Sequence, residues 1–251
     1  MNPQPPEDDT AGSRLVRVQH RIQEACRLAG RPADAVRLLA VSKTWGADRV
    51  LELATLGQQA FAENYLQEAL DKIDACAGRS LEWHFIGPIQ SNKTRPIAEN
   101  FHWVHSVERD KIARRLSDQR PPDVAPLQVC VQVNVSGEAS KSGCDPDEAA
   151  DLARLIVELP RLELRGLMAI PEPTNDAALQ RARFGALRAL HQDIRSTLDQ
   201  RAGPETATSF DTLSMGMSDD LEVAVQEGAT LVRIGTALFG RRQTSDVRPL
   251  P

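Results

Sequence analysis

The sequence predicts an α/β protein that folds as a single (β/α)8 TIM barrel. Between residues 36 and 234, eight short apolar segments alternate without interruption with segments of helical periodicity. Strands separated by helices pair in parallel, and eight such units close naturally into a barrel. Unusual polar residues also stand where most of these strands end, which is where barrels of this type carry functional groups. An open doubly wound sheet is the alternative, but no G-x-G-x-x-G turn follows the first strand and no mid-chain break suggests two halves.

The elements of the predicted barrel follow one another in chain order. Strand segments are short and apolar, as buried parallel strands are, whereas helical segments repeat apolar residues at spacings of three and four. The predicted strands are 36–42, 59–62, 81–86, 101–105, 127–135, 162–170, 212–215 and 231–234. The predicted helices are 47–56, 65–77, 93–99, 110–116, 147–159, 177–198 and 218–226, and a short last helix opens at Gly235 and Thr236.

An extra helix is predicted before the barrel, at residues 13–29. Its apolar residues Leu15, Val18 and Ile22 recur at three and four, and Gly30 ends it. The first nine residues contain three prolines and three acids, a composition that predicts a disordered tail. The predicted domain organisation is a tail at 1–12, one ligand-binding barrel at 13–242 and a C-terminal tail at 243–251.

Composition excludes several classes of function. The net charge of −5 gives no electrostatic footprint for nucleic acid, and no apolar run approaches the roughly 18 residues of a membrane helix. The four cysteines, Cys26, Cys76, Cys130 and Cys144, are widely spaced, and nothing before them resembles a secretory signal. We therefore expect reduced thiols and a cytoplasmic protein that binds neither nucleic acid nor membrane.

Lys43 stands at the end of the first strand, after the apolar run Leu38–Val41 and Ser42. A lysine at the edge of a buried strand is partly desolvated, which favours the neutral amine, and a neutral amine can form a Schiff base with an aldehyde. The alternative is a lysine that buries its stem and leaves its charge in water.

The ends of the seventh and eighth strands carry a pattern typical of phosphate binding. Ser214 and Thr236 offer hydroxyl groups, and Gly216 and Gly235 allow close approach of the backbone. The alternative is that the two glycines only mark tight turns. A phosphate site combined with a lysine that can form a Schiff base indicates a phosphorylated aldehyde as the ligand. The commonest cofactor of this kind is pyridoxal 5'-phosphate (PLP).

Arg233 lies inside the apolar eighth strand, where its charge needs a partner. It could donate to the pyridine nitrogen of PLP, which would stay unprotonated because arginine accepts no hydrogen bond. An ion pair with a carboxylate such as Glu63 is the alternative. A metal site at His84, His102 and His105 is disfavoured, since two of them lie three residues apart on opposite faces of a strand and no carboxylate accompanies them.

With these residues assembled, the chain resembles the pyridoxal phosphate homeostasis proteins, the YggS or PROSC family. Several blocks in the same order carry the resemblance across almost the whole barrel. They are 38–44 (LLAVSKT), 61–68 (FAENYLQE), 83–94 (WHFIGPIQSNKT), 131–144 (VQVNVSGEASKSGC), 166–172 (GLMAIPE), 213–219 (LSMGMSD) and 232–240 (VRIGTALFG).

The resemblance implies a barrel of the alanine racemase N-terminal type that holds PLP as a Schiff base with Lys43. It implies that Ser214, Gly235 and Thr236 hold the phosphate, that Arg233 faces the pyridine nitrogen, and that Asn64 and His84 lie beside the ring. The complete expected cofactor-binding set is Lys43, Asn64, His84, Met168, Ser214, Met215, Arg233, Gly235 and Thr236, with no catalytic or metal-binding residue.

The function implied is to buffer and deliver PLP and to maintain vitamin B6 homeostasis without turnover, with PLP-dependent apoenzymes as recipients. A PLP-dependent amino-acid racemase is the alternative, because the same barrel is similar to the N-terminal domain of alanine racemases. Those enzymes add a C-terminal β domain and take a tyrosine base from the partner subunit. This chain ends shortly after the eighth strand, and Tyr65, its one tyrosine, follows the second. We therefore expect a monomer without racemase activity. A purely structural barrel would leave Lys43 and the phosphate site unexplained.

Overall fold

Eight parallel strands form one closed barrel in the order β1 to β8. The structure is a computed structural model that describes residues 9–137 and 142–240. The strands are β1 (Arg37–Val41), β2 (Ala60–Glu63), β3 (Glu82–Phe85), β4 (Trp103–Val107), β5 (Leu127–Gln132), β6 (Leu162–Met168), β7 (Thr212–Ser214) and β8 (Leu231–Ile234). Each overlaps one predicted strand, which confirms the predicted barrel.

The helices surround the barrel and follow the predicted order. They are α1 (Ala11–Leu28), α2 (Ala47–Thr55), α3 (Leu66–Ala75), α4 (Thr94–Asn100), α5 (Asp110–Gln119), α6 (Pro146–Val157), α7 (Ala177–Ala202), α8 (Pro204–Ser209), α9 (Leu221–Gln226) and α10 (Thr236–Phe239). Only α8 was not predicted. It is a six-residue helix that Gly203, at φ 90°, separates from α7. None of the helices in the described ranges is long and apolar enough to cross a membrane.

The predicted extra helix is present as α1 and begins two residues earlier than expected. The Thr10 hydroxyl accepts a hydrogen bond from the Ser13 N–H and so caps a helix that starts at Ala11. Residues 9–12 therefore differ from the predicted disordered tail, whereas residues 1–8 and the predicted tail at 243–251 lie outside the described residues. The Arg14 Nε donates to the Leu238 carbonyl at 2.8 Å and ties α1 to α10. The helix α10 has only four residues, and α1 packs against both α10 and α9 on this side of the barrel.

The strands bury side chains on both faces. Side chains of a strand alternate between its two faces, so one set packs under the helices and the other fills the barrel. The outer set belongs to one large apolar core, and the inner apolar residues form two smaller clusters. Buried polar residues share the barrel interior with these clusters, among them His84, His105, Ser214 and Arg233. This polar interior contrasts with the branched apolar residues that usually fill such barrels.

Candidate functional site

The C-terminal ends of β1 and β8 lie side by side at one rim of the barrel. Ala40 is in register with Ile234, and the Ser42 N–H extends the β1 ladder by donating to the Ala62 carbonyl at 3.0 Å. A Cβ built on Gly235 would lie 3.4 Å from the Val41 carbonyl oxygen. Lys43, which follows Ser42, and Gly235, which precedes α10, therefore lie at the same rim.

Lys43 occupies that rim position. Alternation along β1 assigns it to the same inward face as Leu39 and Val41, which belong to an inner cluster. It is half-buried, and it makes no hydrogen bond or ion pair with any residue of the described ranges. The structure thus presents an uncommitted, partly desolvated amine at the barrel mouth.

A turn after β7 brings a second hydroxyl to the same rim. Gly216 has φ 94°, and a Cβ there would lie 2.5 Å from the Ala224 Cβ, so the turn requires glycine. Two residues later, the Ser218 Oγ accepts a hydrogen bond from the Ala237 N–H at 3.5 Å. Ser218 and Thr236 line a cavity of about 1040 Å³ whose other walls come mainly from α1, α2 and α10, and Lys43 is not among its lining residues. These groups form a place where hydroxyl and backbone donors can meet an anion.

Ser214, expected to hold phosphate, lies instead inside the barrel. Its hydroxyl is fully buried, accepts from Arg233 Nη1 at 2.7 Å and contacts His105 Nδ1 at 2.8 Å. The Ser214 hydroxyl is thus held by two partners within the chain, and the direct phosphate contact expected of it stays a prediction. The residue that sequence reasoning missed is Ser218. The sequence signal that could have identified Ser218 is the run S-M-G-M-S at 214–218, in which Gly216 allows a turn before the second serine.

Arg233 lies in the barrel interior, as one of the two interpretations of the sequence required. Its Nη2 donates to the Ala169 carbonyl at 2.8 Å, just beyond the end of β6. The alternative ion pair with Glu63 is wrong, because Glu63 binds Lys72 at 2.7 Å. No carboxylate pairs with Arg233 within the residues that the structure describes, and burial lowers the pKa of its guanidinium to about 10. A buried cation without an anionic partner fits an acceptor group on a ligand.

Ser214 begins a hydrogen-bonded relay that runs down the barrel axis. His105 Nε2 lies 2.9 Å from His84 Nδ1, and His84 Nε2 lies 2.6 Å from Glu82 Oε1. Arginine can only donate, so the Ser214 hydroxyl donates to His105, which then donates through Nε2 to His84, which donates to the Glu82 carboxylate. Burial lowers the pKa of both histidines, which is consistent with neutral rings.

His84 is thus fully buried within the relay, and its expected position next to a bound ring stays a prediction. Its partner Glu82 lies at the start of β3 and lines a separate cavity of about 250 Å³ at the opposite end of the barrel. Burial disfavours the Glu82 carboxylate, but the hydrogen bond with His84 and the charge of Arg37 outweigh burial and lower the pKa of Glu82 to about 2. The relay thus runs from Ser214 in the barrel interior to Glu82 at the end opposite the rim.

The remaining expected residues divide between the rim and the core. Asn64 is half-buried directly after β2, at the same rim as Lys43. Met168 is fully buried inside the barrel with Trp103 and Cys130, and Met215 is fully buried in the outer core. Both methionines pack against protein side chains, and the ligand contacts expected of them stay predictions.

Comparison with known proteins matches this architecture. Residues 14–243 match the family model described as the alanine racemase N-terminal domain. The chain is 58% identical to the pyridoxal phosphate homeostasis protein of Pseudomonas aeruginosa, over 93% of this chain and 96% of that protein.

Solved structures give the same picture. PipY of Synechococcus elongatus, solved with PLP bound, has a TM-score of 0.79 and 32% identity over 92% of this chain and all of that chain. Alanine racemase from Corynebacterium glutamicum has a TM-score of 0.62 and 17% identity over 93% of this chain and 63% of that chain. At that identity the similarity to the racemase concerns the barrel fold alone.

Proposed function

The chain belongs to the family of pyridoxal phosphate homeostasis proteins, and we propose that it holds PLP at this rim and delivers it to other proteins. The observation that carries the proposal is the uncommitted Lys43 amine beside Gly235 and Thr236 at the barrel mouth. The 58% identical relative from Pseudomonas aeruginosa is named a pyridoxal phosphate homeostasis protein, which supports PLP as the ligand.

The groups at and below the rim fit PLP. Bound PLP supplies an aldehyde that reacts with amines, a phosphate dianion and a ring nitrogen that accepts hydrogen bonds. Lys43 would bond covalently to it, while the Ser218 and Thr236 hydroxyls and the Gly235 backbone would hold the phosphate. Asn64 would lie beside the ring, and Arg233 would donate to its nitrogen. His84 and Ser214 would act from below by fixing Arg233, and Met168 and Met215 would pack the surrounding walls.

Arg233 favours storage of the cofactor over amino-acid chemistry. An arginine keeps its proton and would leave the ring nitrogen unprotonated, which would make the ring a weaker electron sink for racemisation. Racemisation also needs a second base. Tyr65, the one tyrosine of the chain, is 40% exposed at the start of α3. We therefore infer a carrier without turnover, whose recipients are PLP-dependent apoenzymes.

We also propose that the carrier is a cytoplasmic monomer. All four cysteines are free and buried, as expected of a protein in a reducing compartment. The chain's net charge of −5 does not favour nucleic acid as a partner.

Transfer and turnover assays on the PLP-loaded protein test this function. We expect the loaded protein to restore activity to the apo form of an unrelated PLP-dependent enzyme. Single enantiomers of several amino acids should keep their chirality during long incubation with the same preparation. Catalytic loss of chirality would overturn the carrier in favour of a racemase, and loss of all cofactor on gel filtration would overturn both.

A further inference from the structure

A buried ion-pair cluster lies on the outer side of the strands that carry the rim. Lys72 of α3 donates to Glu63 at 2.7 Å and to Glu68 at 2.6 Å, and we name these three residues the Lys72 cluster. Glu63 is fully buried and Lys72 is 4% exposed. Glu63 follows Phe61 of the outer core by two residues, so it faces the helices and not the barrel mouth.

All side-chain hydrogen bonds that the cluster makes with other residues of the described chain fall on the two residues that flank Lys43. The third donor of Lys72 reaches the Ser42 carbonyl at 2.7 Å, and the Ser42 hydroxyl donates to Glu63 at 2.5 Å. On the other side, the Thr44 N–H donates to Glu68. Both neighbours of Lys43 are therefore tied to α3 and β2, while Lys43 itself is not.

The three donors of the Lys72 ammonium group are all used in this way, on Ser42, Glu63 and Glu68. Lys72 is thus held as a charged structural group. It does not compete with Lys43 for an aldehyde, because an ammonium group without a free lone pair is not a nucleophile.

Two features indicate that the cluster fixes geometry more than it adds stability. A buried ion pair commonly gives no more stability than apolar side chains of the same volume, and Glu63 Oε2 has no hydrogen-bond partner among the described residues. In addition, Thr44 has φ 69°, a left-handed conformation that is unfavourable for a β-branched residue and needs support from its surroundings. The Glu68 contact with the Thr44 N–H supplies such support.

We propose that the Lys72 cluster positions Lys43 for reaction with the aldehyde of its ligand. The inference rests on the proposed function, in which the Lys43 nitrogen bonds to the aldehyde carbon and the aldehyde oxygen leaves as water. Glu63, Glu68 and Lys72 are positioning residues, since they act through the backbone at Ser42 and Thr44. Misplacement of a reacting group by about 1 Å can slow a reaction by roughly two orders of magnitude.

The direct test is the double variant Glu63→Leu/Lys72→Met, which removes both buried charges and keeps their volumes. The apoprotein is mixed with PLP, and the rate at which the visible band of the lysine-bound cofactor appears is followed. We expect this rate to fall about tenfold or more. Affinity for pyridoxine 5'-phosphate, which has the phosphate but no aldehyde, should stay within about twofold of the wild-type value, because the cluster does not face the phosphate site.

The matched control is Arg120→Met. Arg120 is also 4% exposed and holds three backbone carbonyls, those of Ala98, Phe101 and Ala125, none of them near Lys43. This variant should lose stability and keep the wild-type rate of band formation. Equal slowing in both variants would mean that general destabilisation, not positioning, is responsible, and would overturn the inference.

A second variant decides the matter if the double variant does not fold. Glu68 is 28% exposed, so Glu68→Ala is tolerable and removes only the support of Thr44 and one partner of Lys72. We expect band formation to slow several-fold, whereas a wild-type rate in every folded cluster variant contradicts the inference. If the wild-type protein itself forms no band with PLP, the proposed function fails and not the positioning role.

Discussion

Ser214 and Ser218 differ in role although only four residues separate them. Ser214 ends β7 with an inward side chain, and its hydroxyl is committed to Arg233 and His105. After the turn at Gly216, Ser218 lies at the rim and contacts the Ala237 N–H. We therefore propose that the Ser218 hydroxyl is the one that reaches the phosphate.

Replacing Ser218 tests this assignment. Ser218→Ala removes one hydrogen bond to a charged group, which is worth about 1.5–3 kcal/mol, so affinity for pyridoxine 5'-phosphate should fall about tenfold or more. Titration calorimetry measures the change. Ser80→Ala is the control, because Ser80 is exposed just before β3, at the opposite end of the barrel, and should leave affinity unchanged. Equal affinities for all three proteins would exclude Ser218 from the phosphate site.

The sequence predicts rim residues better than interior ones. Lys43, Gly235 and Thr236 follow strand ends, and parallel strands of a barrel bring their ends to one rim. Alternation assigns a side chain to a face of a strand but does not give its depth, so the hydrogen bonds that hold His84 and Ser214 inside the barrel are not predictable from the sequence. The partner of Arg233 is equally hidden from the sequence, since pairing inside a barrel depends on register between strands distant in the chain.

Close approach between β6 and β7 depends on Gly166. A Cβ at this position would lie 1.8 Å from the Thr212 carbonyl oxygen, which belongs to backbone and cannot move aside as a side chain could. We expect Gly166→Ala to lower the free energy of unfolding by about 3 kcal/mol, at the upper end of ordinary overpacking costs. Chemical denaturation measures it.

The same substitution at Gly185 is the control for Gly166→Ala. Gly185 lies within α7, where a Cβ would meet only the end of the Glu227 side chain, at 3.5 Å. Alanine in a helix is favoured over glycine by about 1 kcal/mol, so Gly185→Ala should stabilise the protein. If both variants lost stability equally, the close approach at Gly166 would not be the cause.

For the helices and strands, the periodicity of apolar residues predicts which elements exist and in what order they follow. Local contacts decide where each element begins and ends. All eight strands and α1 to α7, α9 and α10 correspond to segments with an apolar period or a turn signal. The start of α1 was predicted two residues too late. The helix begins after the Thr10 cap, and a hydrogen bond of a side chain leaves no signal in the apolar periodicity. The short helix α8 was missed because Gly203 and Pro204 are typical of a loop, although Pro204 also fits the first turn of a helix.

Over the whole molecule, buried histidines should make stability sensitive to acid. Burial lowers the pKa of His84, His105 and His191, the last to about 4. Below pH about 6.5 the unfolded chain binds protons that these native side chains do not, so stability falls as pH falls. Glu63 acts in the opposite direction, because burial raises its pKa to about 7 and its native carboxyl binds a proton first. Burial also raises the pKa of Asp220, which acts with Glu63, and lowers the pKa of His102, which acts with the three buried histidines. Four histidines against two carboxyl groups leave a net loss of stability towards pH 5.

His191 allows this prediction to be tested far from the ligand site. It stacks on Phe210 with ring centroids 4.5 Å apart, and its buried Nε2 has no hydrogen-bond partner in the described part of the chain. His191→Phe should therefore keep the packing and reduce the loss of stability between pH 7 and pH 5 by about 2 kcal/mol. Urea unfolding at the two pH values gives the difference. His20→Phe, at an exposed position of α1, should leave the loss unchanged, and an unchanged loss in His191→Phe would contradict this account.

The sequence predicts the barrel as a whole but not the polar relay within it. Eight consecutive βα units indicate a closed barrel, whichever side chains fill its interior. The relay from Arg233 to Glu82 joins four strands, and its members become neighbours only once the barrel has closed.

The central claim is that Lys43 holds PLP, and the absorption spectrum of the loaded protein before and after borohydride tests it most directly. The visible band of the lysine-bound cofactor should disappear on reduction, and mass spectrometry should find a pyridoxyl group on Lys43. Lys43→Ala should lose the trapped group and keep part of its phosphate-anchored affinity. Absence of a band after incubation with PLP, or a trapped group at full stoichiometry on another lysine, would contradict the claim.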